Sequence, residues 1–178
     1  MKIVISGKPG SGKSTVARAL AGKLGLRYFS TGQFMRELAR KQGISLEELG
    51  RQAESSRQTD SMIDDWQARL GMSEDDFVMD GRLGFHFIPD SVKIFLDVDS
   101  GEAARRIFAQ KREDEHASTQ EELQAKLEER MASEKRRYMK YYNLDPYALK
   151  HYDLVIDTSK LTPAQVLRKI TGFVSKSK

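Results

Sequence analysis

"GKPGSGKST", residues 7–15, packs three glycines into nine positions directly behind the apolar run Ile3-Val4-Ile5. Glycine loses more freedom on ordering than any other residue, so its density in one loop calls for a local cause. Spacing supplies one. Gly7, four residues, then Gly12, Lys13 and Ser14 match G-x-x-x-x-G-K-[ST], the Walker A phosphate-binding loop of nucleotide hydrolases and kinases. In such a loop, backbone N–H groups turn inward around phosphate oxygens. Gly7, Lys8, Pro9, Gly10, Ser11, Gly12, Lys13, Ser14 and Thr15 are therefore the candidate nucleotide-binding residues. Lys13 would reach the β- and γ-phosphates, and the Ser14 hydroxyl would ligate Mg²⁺. The flanks agree: strand-like KIVIS precedes the loop, and TVARALAGKL follows, with Val16, Leu20 and Leu24 four apart. A helix that starts at the loop aims its positive end at the anion.

Composition narrows the class. The 178 residues suit one domain with room for a core, and 30 Lys plus Arg against 26 Asp plus Glu leave a net charge of only +4. No long basic run or basic-aromatic alternation points to nucleic acid. Cysteine is absent, which excludes disulfides and thiolate metal sites. The chain opens on a strand and a phosphate loop rather than a signal peptide, and no apolar run approaches a membrane span. A cytoplasmic monomer, with neither nucleic acid nor membrane as partner, is expected.

Strand-like runs lie at residues 2–6, 27–30, 77–80, 92–98 and 153–157, with helical patterns between them. Such alternation predicts an α/β fold, a parallel sheet with helices on both faces. Ser45 with Glu48 reads as a capping box, and Thr162-Pro163-Ala164-Gln165 as a helix start. About 45 residues of helical pattern, 31–75, separate the second and third strands, far more than an ordinary crossover needs. An excursion of that length builds a lobe, and a second substrate is its natural cargo.

Three further groups fall where parallel strands end, the edge at which open α/β sheets bind ligands. "STGQFMR" supplies Thr31, Gly32 and Arg36; "VMDGR" supplies Asp80, Gly81 and Arg82. "ERMASEKRRY" places Arg130, Glu134 and Arg137 four and three apart on one helix face, beside a stripe of Leu123, Leu127, Met131, Tyr138 and Tyr142. Singly, each group has a plain alternative: a surface arginine, a strand-ending turn, a solvated ion-pair ladder worth about 0.3–0.5 kcal/mol per pair. Together they send arginines from separate segments toward the phosphate loop, and guanidinium forks suit phosphate oxygens.

With those motifs in view, the chain resembles the nucleoside monophosphate kinases, most closely the compact archaeal-type cytidylate kinases. The likeness runs through GKPGSGKST, FSTGQFMR, GISLEELG, residues 60–67, VMDGRL, SEKRRY and YDLVIDTSKLTPAQV. It implies a P-loop NTPase-type, five-stranded parallel sheet. A helical monophosphate-binding lobe at about residues 31–75 and a short lid at about 111–124 would complete a single domain, 1–178. It implies phosphorylation of CMP or dCMP by ATP with Mg²⁺. Carried over by position, Thr31, Gly32, Arg36, Arg82 and Arg137 hold the acceptor phosphate, Lys13, Arg36, Arg82 and Arg137 being the catalytic set. Arg130 and Glu134 face the acceptor sugar. Asp80 joins Ser14 at the metal by orienting a water. Arg106 flanks the ATP adenine and Arg112 swings in with the lid.

Two positions depart from the pattern. Gln33 stands where Asp is commoner, and Leu83 stands where larger bacterial cytidylate kinases carry an Asp that helps to read cytosine. The base must then be read elsewhere, with Asp60, Asp64, Gln67 and Arg57 of the helical excursion as candidates. The acceptor phosphate is already an anion, so no general base is required, and none of His86, His116 and His151 sits in a motif. Catalysis would rest on positioning and charge neutralisation. The rival readings are a kinase of AMP, UMP or a small metabolite such as shikimate, and a non-enzymatic nucleotide switch.

Overall fold

The computed structural model describes residues 1–110 and 117–176. Its centre is a sheet of five parallel strands in the order β2-β3-β1-β4-β5. The strands are β1 (Lys2–Gly7), β2 (Arg27–Ser30), β3 (Phe77–Asp80), β4 (Val92–Asp97) and β5 (Leu154–Asp157). The middle strand explains the layering. Ile3 and Ile5 face one side of the sheet and Val4 the other, as strand alternation requires, and all three are fully buried.

Helices α1 (Lys13–Leu24) and α8 (Pro163–Val174) cover the Ile3/Ile5 face through Val16, Leu20, Val166 and Ile170. Leu24, expected on the buried stripe of α1, is instead 36% exposed, because Ala17 and Ala21 turn the covered face toward themselves. The Val4 face packs against Leu70 of α4 (Arg57–Ser73) and Ile88, which follows the short helix α5 (Gly84–Phe87).

The long excursion is three helices, α2 (Thr31–Gln42), α3 (Leu46–Ser55) and α4. Helices α2 and α3 share a small core of Leu38, Ala39 and Leu49. Phe34 stacks on Trp66 of α4 at 4.8 Å and so ties that core to the sheet side. After β4, α6 (Ser100–Ala109) and α7 (Gln120–Tyr142) pair through Ala104, Ile107, Leu123 and Leu127. Of the stretch expected as a lid, residues 111–116 lie outside the described residues, and 120–124 form the first turns of α7. No described helix is long and apolar enough to cross a membrane.

Strand β1 lies between β3 and β4, so the chain crosses to opposite sides of it before and after β3. That topological switch opens a crevice at the carboxyl end of β1, where the glycine-rich loop lies.

Candidate active site

The loop of residues 7–12 joins β1 directly to α1. Every other described helix of ten residues or more has its N-terminus capped by a Ser, Thr or Asp side chain: Ser30, Ser45, Ser56, Asp99, Thr119 and Thr162. Helix α1 starts at Gly12 with no side-chain cap. Its first-turn N–H groups therefore need another acceptor, and an anion in the loop is the natural one. At Gly10, φ is +74° and a Cβ would come within 2.7 Å of the Ala103 backbone on α6. Only glycine lets the loop lie that close to the helix.

Lys13 folds back over this loop, its ammonium 3.4 Å from the Lys8 carbonyl. Burial, then the positive charge of Arg82, depress its pKa well below the ordinary lysine value, with Asp80 opposing. That is a cation short of negative charge. Lys8 itself pairs with Asp97 at 2.7 Å.

Asp80 ends β3 beside the loop and is 3% exposed. The Ser14 hydroxyl donates to its Oδ2, and the Tyr28 hydroxyl to its Oδ1 at 3.0 Å. A hydroxyl and a carboxylate in contact at the mouth of a phosphate loop suit Mg²⁺, which binds through one or two protein oxygens plus phosphates and waters. Among the described residues no cluster of three or more His, Asp or Glu could hold a metal alone. The donor set thus fits an ion that arrives with phosphate.

Helix α7 builds the other wall of the crevice. Arg82 leaves β3 and donates through Nε to Glu134 Oε2 at 2.6 Å and through Nη1 to the Gly7 carbonyl at 2.7 Å. Arg130 donates to Glu134 Oε1 at 3.2 Å, and the Tyr147 hydroxyl donates to Oε2. Burial alone would raise the Glu134 carboxyl, but the charges of Arg82 and Arg130 hold it well below the usual carboxylate range.

The helix-face trio divides in the structure. Arg130 and Glu134 turn to Arg82, whereas Arg137 faces Asp60 of α4 with Nε 2.9 Å from Oδ2. That contact lacks hydrogen-bond alignment, so Asp60 Oδ2 and Arg137 Nε are both buried and unmatched, as is Gln67 Oε1. Asp64 is engaged by the Tyr142 hydroxyl, and Arg57 lies over the rings of Tyr141 and Tyr142.

Thr31 donates to the Asp80 carbonyl at 3.3 Å. Exposed Arg36 folds its guanidinium back along α2, where a Cβ on Gly32 would lie 3.7 Å from Nη1. These groups thus sit around the β2, β3 and β1 ends. Arg106 stands across the loop, bonded to Glu102, to the carbonyls of Thr158 (2.7 Å) and Ser159 (3.2 Å), and to the Gly10 carbonyl at 3.4 Å. Arg112 and His116 lie outside the described residues. His86 and His151 stand among aromatic rings, against Phe87 and Phe85.

Sequence reasoning missed Tyr28, Tyr142 and Tyr147. Tyr28 had a usable signal, since β2 pairs with β3 in a register that sets Ser30 against Asp80. Tyr147 lies in an irregular segment without periodicity, and nothing in its spacing marks it.

Residues 2–160 match the family model described as the cytidylate kinase-like family. A cytidylate kinase of Methanothrix thermoacetophila is 42% identical over 160 residues, covering 90% of each chain. One from Sulfolobus acidocaldarius is 36% identical over 99% of this chain and 95% of its own. Among solved structures, a shikimate kinase from Bacteroides thetaiotaomicron superposes with a TM-score of 0.69 at 14% identity, over 98% of both chains. An uncharacterized protein from Eubacterium ventriosum gives 0.73 at 16% identity, over 98% of both. At such identities those two likenesses speak for the fold alone.

Proposed function

The chain belongs to the cytidylate kinase-like family, and from that premise we propose that it transfers the γ-phosphoryl group of ATP to CMP or dCMP. The observation that carries the reading is the convergence at one strand edge. An uncapped helix start, a charge-starved Lys13 and the Ser14–Asp80 oxygens lie with Arg82 at the loop, and Arg82 is tied to Glu134 of α7, the helix that also carries Arg137.

ATP would place its phosphates on the first turn of α1, with Lys13 on the β- and γ-oxygens. Arg82 lies between the loop and the acceptor side, so it can neutralise charge on the group in flight. Arg137 and Arg36 hold the attacking phosphate from α7 and α2. Mg²⁺ at Ser14 and Asp80, when bound, supplies charge neutralisation of the β- and γ-phosphates. The acceptor oxygen is already anionic, so the chain's work is to align and to neutralise, each preorganised donor contributing roughly 3–4 kcal/mol.

The base follows from the relatives' names and is supported by the lobe. Of the four candidate base readers, Asp64 and Arg57 are occupied by tyrosines and Asp60 is ion-paired to Arg137, while Gln67 keeps a buried oxygen without a hydrogen-bond partner. Acceptor oxygens suit the amino group of cytosine better than the carbonyl that replaces it in uracil.

ADP release measured with ATP against CMP, dCMP, UMP, AMP and shikimate tests the proposal. CMP or dCMP should give the highest kcat/KM. Tenfold preference for AMP, or activity on shikimate alone, would replace it.

A further inference from the structure

Glu134 is the most heavily engaged carboxylate of the site. Three donors reach its two oxygens, from Arg82, Arg130 and Tyr147, and the residue is 7% exposed. A carboxylate offers about four lone-pair directions, so little capacity remains for sugar hydroxyls. The partner that no motif contains is Tyr147. Its hydroxyl shares Oε2 with Arg82 Nε.

Tyr147 is itself fixed to α7. Its backbone N–H donates to Asp145 Oδ1 at 2.9 Å, and Asp145 pairs with Lys135 at 2.7 Å. Burial raises the phenol far above its ordinary pKa despite the charge of Arg82, so it remains a donor. A continuous chain of contacts then runs from the segment after α7, through Tyr147, Glu134 and Arg82, to the Gly7 carbonyl of the phosphate loop. Among the described residues Arg82 Nη2 has no hydrogen bond, which leaves that edge for phosphate oxygens.

We propose that Tyr147 and Glu134 are positioning residues for Arg82, and that Glu134 serves the arginine rather than the acceptor sugar. A free arginine gives up rotamer entropy when it is fixed. Here the fixing is done before substrate arrives, so the fork is already aimed at the transferring group. The inference rests on the phosphoryl-transfer reading above but not on the identity of the base.

Tyr147→Phe removes one hydroxyl and keeps the ring, so the fold is preserved. With the best monophosphate from the acceptor screen, kcat should fall about tenfold, the scale of one charge-assisted hydrogen bond. KM for CMP and dCMP should shift by the same factor. In an Arg82→Ala background the same substitution should change kcat less than about twofold, because residues acting through one another are non-additive. Glu134→Gln should lower kcat at least as much, again without separating CMP from dCMP.

Full kcat in Tyr147→Phe overturns the proposal. So does a loss that multiplies undiminished onto Arg82→Ala, which would mean a merely structural tyrosine. So does a Glu134→Gln enzyme with intact kcat whose KM rises for CMP but not for dCMP, the signature of a sugar reader. A wild-type enzyme that prefers AMP corrects the base and leaves this test in force. One that phosphorylates none of the acceptors removes the reading on which both proposals stand.

Discussion

Two glycines of the phosphate loop, replaced one at a time by alanine, separate backbone strain from packing. Gly12 has φ +83° and nothing within 4 Å of a Cβ, whereas Gly10 has φ +74° and would set its Cβ 2.7 Å from Ala103 Cα and 2.8 Å from both Ala103 Cβ and its carbonyl oxygen. An L-residue held in the left-handed region costs about 1–2 kcal/mol, and Gly12→Ala should cost that and little more. Gly10→Ala carries the same strain plus overpacking of about 1–3 kcal/mol, since the nearest Ala103 atom belongs to helix backbone and cannot swing aside. Against a domain stability of about 5–15 kcal/mol, the Gly10 variant loses about 2–5 kcal/mol and the Gly12 variant about 1–2 kcal/mol. Urea unfolding of both variants without nucleotide reads the difference directly. Equal midpoints would refute the reasoning, because they would mean that α6 does not press on the loop at residue 10.

Lys13→Ala should leave the melting temperature within a few degrees of wild type and lower kcat by at least about 100-fold, since it removes charge from the transferring group; steady-state kinetics against a circular-dichroism melt checks both. Asp64 gives a pH signature. Burial pushes its carboxyl from 3.8 up to about 6, with the Tyr142 hydroxyl opposing. The folded state therefore prefers the protonated form, so stability is full below about pH 4 and is lost as pH rises through about 6. The shift corresponds to about 3 kcal/mol unscreened, and partial exposure of the carboxyl reduces it to about 1 kcal/mol. Asp64→Asn should thus unfold at higher urea than wild type at pH 7.5 and at nearly the same urea at pH 4; an equal difference at both would contradict the buried carboxyl.

Much of this architecture is written locally. The strand ends fall within a residue or so of the apolar runs; in the central β1 and β3 this is because a parallel strand buried on both faces must be largely apolar. Thr162 and Gln165 form the reciprocal cap that their spacing announces. That the loop, Asp80 and Arg82 come together is legible for a similar reason, since they sit at the ends of neighbouring strands. What spacing could not supply was partnership across the chain. Arg130, Glu134 and Arg137 share a helix face, yet which of them meets Arg82 and which meets Asp60 depends on how α4 and β3 approach α7. Tyr147 is invisible for a related reason, because its role comes from one long-range hydroxyl contact and from no repeat. Leu24 shows the reverse failure, an apolar residue in helical period that the two alanines of α1 leave at the surface.

Direct transfer from ATP to a cytidine monophosphate at this one edge of the sheet should leave a fixed ratio of products. Phosphorus NMR of a mixture of enzyme, ATP, CMP and Mg²⁺ tests it most directly, by following both products at once. CDP and ADP should appear in equal amounts with negligible inorganic phosphate, and the Lys13→Ala enzyme should produce neither at a comparable rate. ADP accompanied by inorganic phosphate and no CDP would contradict it.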